Sequence, residues 1–358
     1  MKVCILGSGL SALTLAKALV NKKIYVDIVS SNNNFVINQS RTLGISKSSF
    51  DYFNKSILNI NNITWKVKKI EIFTDNLKNE KILNFENKND QLFSILKNFK
   101  LYEVLKKGLL STKFCNIKKI KKNFLDFDKY NLIVNTDYSS SITKKMFNKY
   151  ISKTYNSVAY TTIIKHEKIL NDVATQIFTK RGPLAFLPIS ETETSIVYSI
   201  HNSKNNKKEQ LNQLIHQYNI KYKIKKILKI ESFELKSFTL RSYYHENILA
   251  FGDLLHRIHP LAGQGFNMII RDIIILIDII NHKASLGLPL DKSISYEFQK
   301  KLKHKNLIFS TGIDLVHEIF NFERKVKSSA LSKSIQMLGK NSSINKIFTK
   351  IADKGITL

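Results

Sequence analysis

The chain has 358 residues, of which 43% are hydrophobic and 24% charged, a composition typical of a globular protein of about two domains. Two cysteines, Cys4 and Cys115, exclude a disulfide framework and a multi-cysteine metal site. The longest aliphatic run, residues 273–277, is too short for a transmembrane helix of about 20 residues. The net charge is +29, but only six of the 57 basic residues are arginine. Nucleic-acid recognition favours arginine, because its planar guanidinium forms two-point contacts. We therefore expect no nucleic-acid partner, whereas attraction to anionic membrane surfaces stays open.

A β-α-β unit is predicted at the start of the chain, with a buried strand over residues 2–6 and a second strand over residues 24–29. Because the first strand begins at residue 2, we expect no signal peptide. The turn between strand and helix reads Gly7-Ser8-Gly9-Leu10-Ser11-Ala12. Gly7 permits a tight turn, Gly9 lets the backbone approach a pyrophosphate, and Ala12 allows close helix packing. The pattern predicts a dinucleotide site; the alternative is a glycine turn in an unrelated α/β unit.

The acidic residue that usually binds ribose at the end of the second strand is missing. That position reads Ser30-Ser31-Asn32, and Asp27 comes too early, inside the strand. A serine hydroxyl binds ribose less strongly than a carboxylate does.

The middle of the chain alternates predicted strands and helices. A helix preceded by a short strand is expected within 91–110, a buried strand over 131–136, and a polar helix over 208–218. An antiparallel sheet is expected from residues 158–200 and 229–242, and the chain is helical from about residue 292.

A second motif follows a strand predicted over 248–251. The strand ends at Gly252-Asp253, and a loop with Pro260, Gly263 and Gly265 leads into a long helix from Phe266 to Ile280. The Asp253 carboxylate is placed to accept a hydrogen bond from a ligand hydroxyl; the alternative is that it caps its own loop. The glycines again bring bare backbone and a helix N-terminus towards a ligand.

This motif, Gly-Asp…His-Pro-Leu-Ala-Gly-Gln-Gly-Phe-Asn…Arg-Asp over 252–272, resembles the second FAD motif of the FAD-dependent aromatic hydroxylases of ubiquinone biosynthesis. These are flavoprotein monooxygenases related to para-hydroxybenzoate hydroxylase. Further segments agree in order and spacing, and the resemblance covers nearly the whole chain: Ser40-Arg41-Thr42, residues 181–188, Tyr296-Glu297, Asn306 and Thr311-Gly312-Ile313-Asp314.

The resemblance implies an α/β fold. A Rossmann-like FAD-binding domain would be built from discontinuous segments, residues 1–70, 96–148 and 246–290. An antiparallel β substrate domain, residues 71–95 and 149–245, would be inserted into it, and residues 291–358 would form a helical C-terminus. The implied cofactor-binding residues are Gly7, Gly9, Ser11, Ala12, Arg41, Asp253, Pro260, Gly263, Gln264, Gly265, Phe266 and Asn267. No side chain is predicted as a catalytic acid or base.

The function implied by the resemblance is hydroxylation of the aromatic ring of a polyprenylated phenol by molecular oxygen, through a C4a-hydroperoxyflavin. Two alternatives stay open: a flavin reductase or dehydrogenase on the same scaffold, and a non-catalytic flavoprotein of a quinone-synthesis complex. The implied location is cytoplasmic or peripheral at the inner face of the membrane.

One motif departs from the family pattern. An Asp-Gly pair, followed by serine and arginine, is associated in the family with FAD and pyridine-nucleotide handling. Here the segment reads Asp137-Tyr138-Ser139-Ser140-Ser141, with Lys144 near the place of the arginine. A tyrosine is unfavourable if the position needs a positive φ or close approach of a cofactor. We therefore expect weak use of NAD(P)H as electron donor.

Two other patterns have structural interpretations. His256 and His259, three apart and near one aspartate, are a poor metal site and are expected to shape the loop, so no metal is predicted. An apolar stripe lies near the C-terminus, among lysines: Leu331, Ile335, Leu338, Ile344, Ile347, Phe348 and Ile351. It fits either a helix on a membrane surface or a helix that covers a domain.

Overall fold

The computed structural model describes residues 1–30, 39–77, 80–87, 90–119, 126–201, 208–258, 263–326, 330–340, 346, 349–351 and 353–355. The strands are β1 (Lys2–Leu6), β2 (Tyr25–Ser30), β3 (Thr42–Ser46), β4 (Thr64–Val67), β5 (Lys69–Thr74), β6 (Glu80–Glu86), β7 (Phe93–Lys97), β8 (Cys115–Lys119), β9 (Leu132–Asn135), β10 (Tyr150–His166), β11 (Val173–Thr179), β12 (Gly182–Pro188), β13 (Glu193–His201), β14 (Ile224–Ile227), β15 (Glu231–Leu240), β16 (Tyr244–His245), β17 (Ile248–Ala250) and β18 (His256–Arg257). The α-helices are α1 (Leu10–Asn21), α2 (Lys47–Tyr52), α3 (Asn98–Leu110), α4 (Ser141–Met146), α5 (Lys208–Tyr218), α6 (Gln264–Ser285), α7 (Ser293–Val326) and α8 (Ala330–Lys340).

The first sheet has six strands in the order β16-β17-β9-β1-β2-β8. All neighbours are parallel except β16, which is antiparallel to β17. Val3, Cys4 and Ile5 are fully buried, because a parallel sheet covered on both faces buries consecutive residues. The strand order reverses at β1, with β2 on one side and β9 on the other, and ligands of such sheets bind beyond the carboxyl ends of the strands at this point.

Helices α1, α3 and α6 pack together against this sheet. Helix α1 carries few polar residues because α3, α6 and β2 surround it, and Leu13, Ala16 and Leu19 are each at most 2% exposed. The β-α-β unit predicted at the start of the chain is therefore confirmed.

The second sheet has nine strands. The order is β18-β15-β10-β13-β12-β11-β5-β6, and β14 also pairs with β10. Its pairs are antiparallel except β11 and β5. Helix α5 covers one face, where Leu211 and Ile215 pack against Ile196 and Tyr198. The predicted antiparallel sheet is confirmed, and it also receives β5 and β6 from earlier in the chain.

A third sheet has three strands in the order β3-β7-β4. Val67 and Ile95 of this sheet pack against Ala174 of β11. The interval 91–110 holds β7 and α3 in succession, as the predicted short strand and helix.

The C-terminal region is helical, as predicted. Helix α8 packs against β6: Ser332 is fully buried, Gln336 Nε2 donates to the Lys81 carbonyl over 3.0 Å, and Gly339 lies against Leu83. This contact face is offset by one residue from the predicted stripe, and Leu338 is 46% exposed. Ile344, Ile347 and Phe348 of that stripe lie outside the described residues. Within the described ranges, no helix is long and apolar enough to span a bilayer.

Candidate FAD site

The glycine turn after β1 requires glycine at its first position. Gly7 has a φ of +112°, and a Cβ at this position would clash with the Thr136 hydroxyl on the loop after β9. The Gly7 N–H donates to the Val29 carbonyl over 2.8 Å. The turn is therefore closely packed between the ends of β2 and β9, with no room for any side chain.

Helix α1 begins directly after this turn. Its N-cap is Gly9, which has no side chain with which to cap the helix, and its first turn has no acidic residue. The N–H groups and the positive dipole end are therefore free to bind an anion such as a pyrophosphate. Ala12 is fully buried, so it supplies close packing rather than a ligand contact through its side chain.

The end of β2 has a hydroxyl pair where a ribose-binding carboxylate is usual. Ser8 Oγ donates to Ser30 Oγ over 3.2 Å, so Ser30 faces the glycine turn. Ser31 and Asn32 lie outside the described residues.

Asp27, in contrast, is buried inside β2, as its position in the sequence predicted. Its carboxylate accepts hydrogen bonds from Tyr130 Oη over 2.7 Å, from Lys118 Nζ over 3.0 Å and from Asn116 Nδ2 over 3.2 Å. Burial opposes ionisation, but these hydrogen bonds outweigh it and lower the pKa of Asp27 to about 2. Asp27 therefore joins β2 to its neighbours and is not a ribose ligand.

The second motif lies directly against the first. Gly252 has a φ of +68°, and a Cβ there would collide with the Ser11 side chain of α1. The next residue, Asp253, is exposed in a 3-10 turn and forms no hydrogen bond or ion pair with any described residue. This places a free carboxylate beside the N-terminus of α1, where a ligand hydroxyl can reach it.

Helix α6 follows β18 in the chain. Gly263, with a φ of +63°, is its N-cap, so the helix starts at Gln264, two residues before the predicted Phe266. Gln264 is 4% exposed, and among the described residues its Oε1 has no hydrogen-bond partner. A Cβ at Gly265 would meet nothing within 4 Å. A buried acceptor without a donor, next to open space, fits a ligand ring that carries an N–H group, as the isoalloxazine of FAD does.

Two other predicted residues of this helix point into the protein. Asn267 is fully buried; its Oδ1 accepts from the Ser46 N–H over 2.9 Å, and its Nδ2 donates to the carbonyls of Gly44 and Gly263 over 3.1 Å each. The Phe266 ring packs in the core, 6.3 Å from that of Phe53. Asn267 fixes α6 to β3 and Phe266 packs in the core, so only their backbone remains for a ligand. Pro260 lies outside the described residues.

Arg41 connects the FAD site to the nine-stranded sheet. Its guanidinium lies 4.6 Å above the Phe233 ring of β15. The side chain reaches solvent, but its partial burial lowers the pKa of Arg41, and repulsion from Arg257 lowers this pKa further. Attraction from Asp253 and Glu231 acts in the opposite direction. The neighbouring Ser40 Oγ donates to Glu231 Oε2 over 2.7 Å. The arginine segment therefore lies beside Asp253 and faces the predicted substrate sheet.

His256 belongs to a buried network behind the loop. Its Nε2 lies 2.6 Å from Asp272 Oδ2, and Asn306 Nδ2 donates to Asp272 Oδ1 over 3.2 Å. His256 and Asp272 are 3% and 0% exposed. The network fixes β18 to α6 and α7, which fits the predicted loop-shaping role. His259 lies outside the described residues, within which no group of three or more His, Cys, Asp or Glu is arranged to hold a metal ion.

The altered Asp137-Tyr138 pair does not strain the backbone, because Tyr138 does not have a positive φ. Asp137 Oδ1 accepts from the Ser139 N–H over 2.9 Å and so closes its own turn. The Tyr138 ring lies 5.3 Å from that of Phe238, with the Arg257 guanidinium 5.5 Å above it. Sequence reasoning missed Arg257, because only the strand register places Phe238 opposite Arg257.

Comparisons with known proteins agree with this geometry. Residues 137–284 match the family model described as an FAD binding domain. The chain is 29% identical over 160 residues to 3-demethoxyubiquinol 3-hydroxylase of Escherichia coli, across 42% of this chain and 40% of that protein. It is 24% identical over 231 residues to ubiquinone biosynthesis monooxygenase COQ6 of Drosophila melanogaster, across 53% and 48%. The chain thus aligns with about half or less of the length of these curated relatives.

Solved structures show the same fold. The chain superposes on p-nitrophenol 4-monooxygenase PnpA of Pseudomonas putida with a TM-score of 0.77 and 11% sequence identity, over 99% of this chain and 98% of that one. The predicted mixed α/β fold with a helical C-terminus is confirmed. Residues 137–284 thus match an FAD-binding domain, and the chain is similar in sequence to hydroxylases of ubiquinone biosynthesis and in fold to a monooxygenase of known structure.

Proposed function

We propose that this protein is an FAD-dependent monooxygenase that hydroxylates the aromatic ring of a polyprenylated phenol in ubiquinone biosynthesis. One observation carries the proposal: the turns at Gly7 and Gly252-Asp253 lie at the carboxyl ends of β1 and β17, and Gly252 packs against Ser11 at the start of α1. The start of α6 at Gly263 lies against Gly44 of β3. The names of the relatives support the substrate class.

Each part of the site would hold one part of FAD. The glycine turn and the N-terminus of α1, with Gly7, Gly9 and Ser11, would bind the pyrophosphate. Asp253 would accept a hydrogen bond from a ribityl hydroxyl. The backbone from Gly263 to Asn267, with Gln264 Oε1, would contact the isoalloxazine ring.

Bound FAD supplies the oxygen chemistry that no amino-acid side chain can perform. The protein contributes position and charge. The positive end of α6 would stabilise negative charge on the adjacent edge of the ring, and Arg41 adds a cation on the side of the nine-stranded sheet.

The sheet face towards Arg41 has the mixed character that a phenol with an apolar tail requires. Ser40 Oγ lies 2.9 Å from Thr161 Oγ1, and Thr42 Oγ1 lies 2.9 Å from Ser195 Oγ. The register places Val197 next to Thr161, and Ala185 next to Val197. We propose that the phenol ring binds near the hydroxyls and that the polyprenyl tail follows the apolar residues.

Labelled dioxygen tests the reaction. Purified protein loaded with FAD, given a reductant and a polyprenyl phenol, is expected to incorporate one labelled oxygen atom into the product. Consumption of reductant without incorporation would indicate a reductase. Profiling of quinone intermediates after gene deletion would identify the ring position, and normal quinone levels in cells carrying Asp253→Ala would favour the non-catalytic alternative.

We also propose association with the inner face of a membrane, where a polyprenylated substrate resides. Leu315 and Phe322 on α7 and Met337 on α8 are 60%, 59% and 72% exposed, on a chain of net charge +29. Flotation with anionic vesicles is expected to recover the protein, and Met337→Asp is expected to reduce recovery. Equal recovery with neutral vesicles and with the variant would contradict surface binding.

A further inference from the structure

A helical turn near the C-terminus contacts the start of α2 through Asp353. Asp353 Oδ1 accepts a hydrogen bond from the Ser48 N–H over 2.8 Å. The Asp353 backbone carbonyl accepts from Ser46 Oγ over 2.9 Å and from Ser48 Oγ over 2.8 Å. The first N–H groups of a helix have no partner within the helix, and the Asp353 carboxylate supplies a partner for one of them. These hydrogen bonds join residues that are 305 and 307 positions apart in the chain.

The same turn also contacts α6. Gly355 ends the turn with a φ of +74°, and its N–H donates to the Ile351 carbonyl over 2.9 Å. Gly355 is buried against Arg271 of α6, and a Cβ at this position would lie 2.9 Å from Arg271 Nη1. The negative charge of Asp353 also attracts the Arg271 guanidinium. We refer to the turn with Ile351, Asp353 and Gly355 as the C-terminal strap, which is held by α2 and α6 together.

Ser46 links the C-terminal strap to the start of α6. Its N–H donates to Asn267 Oδ1 over 2.9 Å, and Asn267 Nδ2 donates to the carbonyls of Gly44 and Gly263 over 3.1 Å each. Ser46 and Asn267 are 2% and 0% exposed, so water does not replace these partners. Gly263 is the N-cap of α6. A continuous series of hydrogen bonds therefore runs from Asp353 to the end of the site where the isoalloxazine ring would bind.

We propose that Asp353 is a positioning residue for FAD: through Ser46 and Asn267, the C-terminal strap fixes the start of α6 and slows release of the cofactor. The inference rests on the proposed function, because it assumes that FAD binds at the start of α6. Asp353 acts through other residues, so loss of its contacts loosens one wall of the site without removing a ligand contact. A loosened wall affects mainly the rate at which a bound ligand leaves.

The rate of FAD release tests the proposal without turnover. It is measured by the fluorescence of free FAD after dilution of the FAD-loaded protein. Asp353→Ala removes the partner of the Ser48 N–H and is expected to raise the release rate about 3- to 30-fold, as for loss of a helix cap. Asp353→Asn keeps an oxygen that can accept from this N–H and is expected to retain the natural rate. Asp51→Ala, which removes an exposed carboxylate of the same helix, is the matched control and is expected to change little.

Gly355→Ala tests the contact of the C-terminal strap with α6. The new methyl group would lie against Arg271 at a φ of +74°, so the strap should separate from α6 and FAD should leave faster, as in Asp353→Ala. Gly287→Ala imposes similar backbone strain at a φ of +67°, but its methyl group would meet nothing within 4 Å. This control should release FAD at the natural rate. Equal release from the two glycine variants would overturn the proposal.

Hydrogen exchange of the Ser48 amide in FAD-free protein reports on the strap alone. Asp353→Ala should speed this exchange, because the amide loses its acceptor. Unchanged exchange would overturn the strap contact, and faster exchange with a natural FAD release rate would overturn its coupling to the cofactor. Release from Asp353→Asn as fast as from Asp353→Ala would also contradict the proposal. FAD uptake by the natural protein, measured by absorbance beforehand, separates these results from failure of the proposed function, which predicts that uptake.

Discussion

At the scale of single residues, two glycines of the FAD site have opposite requirements. Gly7→Ala places a methyl group at a φ of +112° and against the Thr136 hydroxyl, so we expect the free energy of unfolding to fall by about 1–3 kcal/mol. Gly265→Ala meets open space within a helix, so we expect unchanged or slightly higher stability but weaker FAD binding, because the methyl group enters the ligand's space. Urea unfolding and FAD fluorescence titration measure the two effects.

The control is Gly312→Ala, a change at a helical glycine of α7 with equally open surroundings. It should preserve FAD affinity. If it weakened binding as much as Gly265→Ala, the assignment of Gly265 to the ligand side of α6 would be wrong.

Asp253 is expected to serve the ligand rather than the fold. The carboxylate has no hydrogen-bond partner among the described residues, so Asp253→Asn should leave unfolding unchanged. Loss of a charge-assisted hydrogen bond should weaken FAD binding about 10- to 100-fold. Asp128→Asn, which removes another exposed carboxylate elsewhere in the chain, is the matched control. FAD affinity is measured by fluorescence titration. Equal losses of affinity in both variants would refute the assignment of Asp253 to the ligand.

Asp27 gives a pH dependence with a definite sign. Its pKa is lowered to about 2, so its contribution to stability is fully present above the ordinary value of 3.8 and is lost as the pH falls towards 2. Because the Lys2 and Lys118 side chains are partly exposed, screening by solvent limits this contribution to about 1–2 kcal/mol. Urea unfolding between pH 5 and pH 2 should show the loss in the natural protein, and Asp27→Asn should reduce the slope. An unchanged slope in the variant would assign the acid sensitivity to other groups.

At the scale of elements, Asn267 joins α6 to β3 through three hydrogen bonds to backbone. Asn267→Ala leaves those groups unpaired in the core, so we expect a loss of about 2–4 kcal/mol in unfolding free energy. FAD should also bind less tightly, because the start of α6 loses its fixed position. Asn21→Ala also removes hydrogen bonds to two backbone carbonyls, those of Ser56 and Ile57, but away from the site. Denaturant unfolding with FAD titration should show lower stability in both variants and weaker FAD binding only in Asn267→Ala.

The elements that the sequence predicted well are those whose signals are local. The glycine turn between β1 and α1 and the Gly252-Asp253 turn after β17 each lie within a few consecutive residues. The three-stranded sheet was not predicted as a unit, because β3, β4 and β7 come from separated parts of the chain. The stack of Arg257 on Tyr138 depends on the pairing of Phe238 with Arg257, and the buried role of Asn267 depends on β3. Such contacts are set by tertiary register, which periodicity and spacing do not specify.

At the scale of the whole molecule, the source of electrons depends on how the FAD site meets the edge of the nine-stranded sheet. Lys144, near the place of the family's arginine, is exposed on α4 and has no hydrogen bond or ion pair with a described residue. A lysine at this place offers a point charge instead of the bidentate guanidinium of arginine. Complete loss of the arginine–phosphate contact would lower phosphate affinity about 10- to 150-fold. Arg257 restores a guanidinium nearby, but in a site open to solvent.

We therefore expect NADPH to reduce the bound flavin slowly at about 10 μM and to approach saturation only near about 0.1–1 mM, the range of a single weak phosphate site. Stopped-flow absorbance of the FAD-loaded protein measures this rate. Dithionite serves as the control, because it should reduce the same flavin regardless of Arg257 or Tyr138. If reduction by NADPH were rapid at low micromolar concentration, the altered Asp137-Tyr138 motif would be harmless. If reduction is slow and Arg257→Gln slows it further, the remaining NADPH affinity comes from Arg257 beside the Tyr138 ring. Such a result would also point to a separate electron donor.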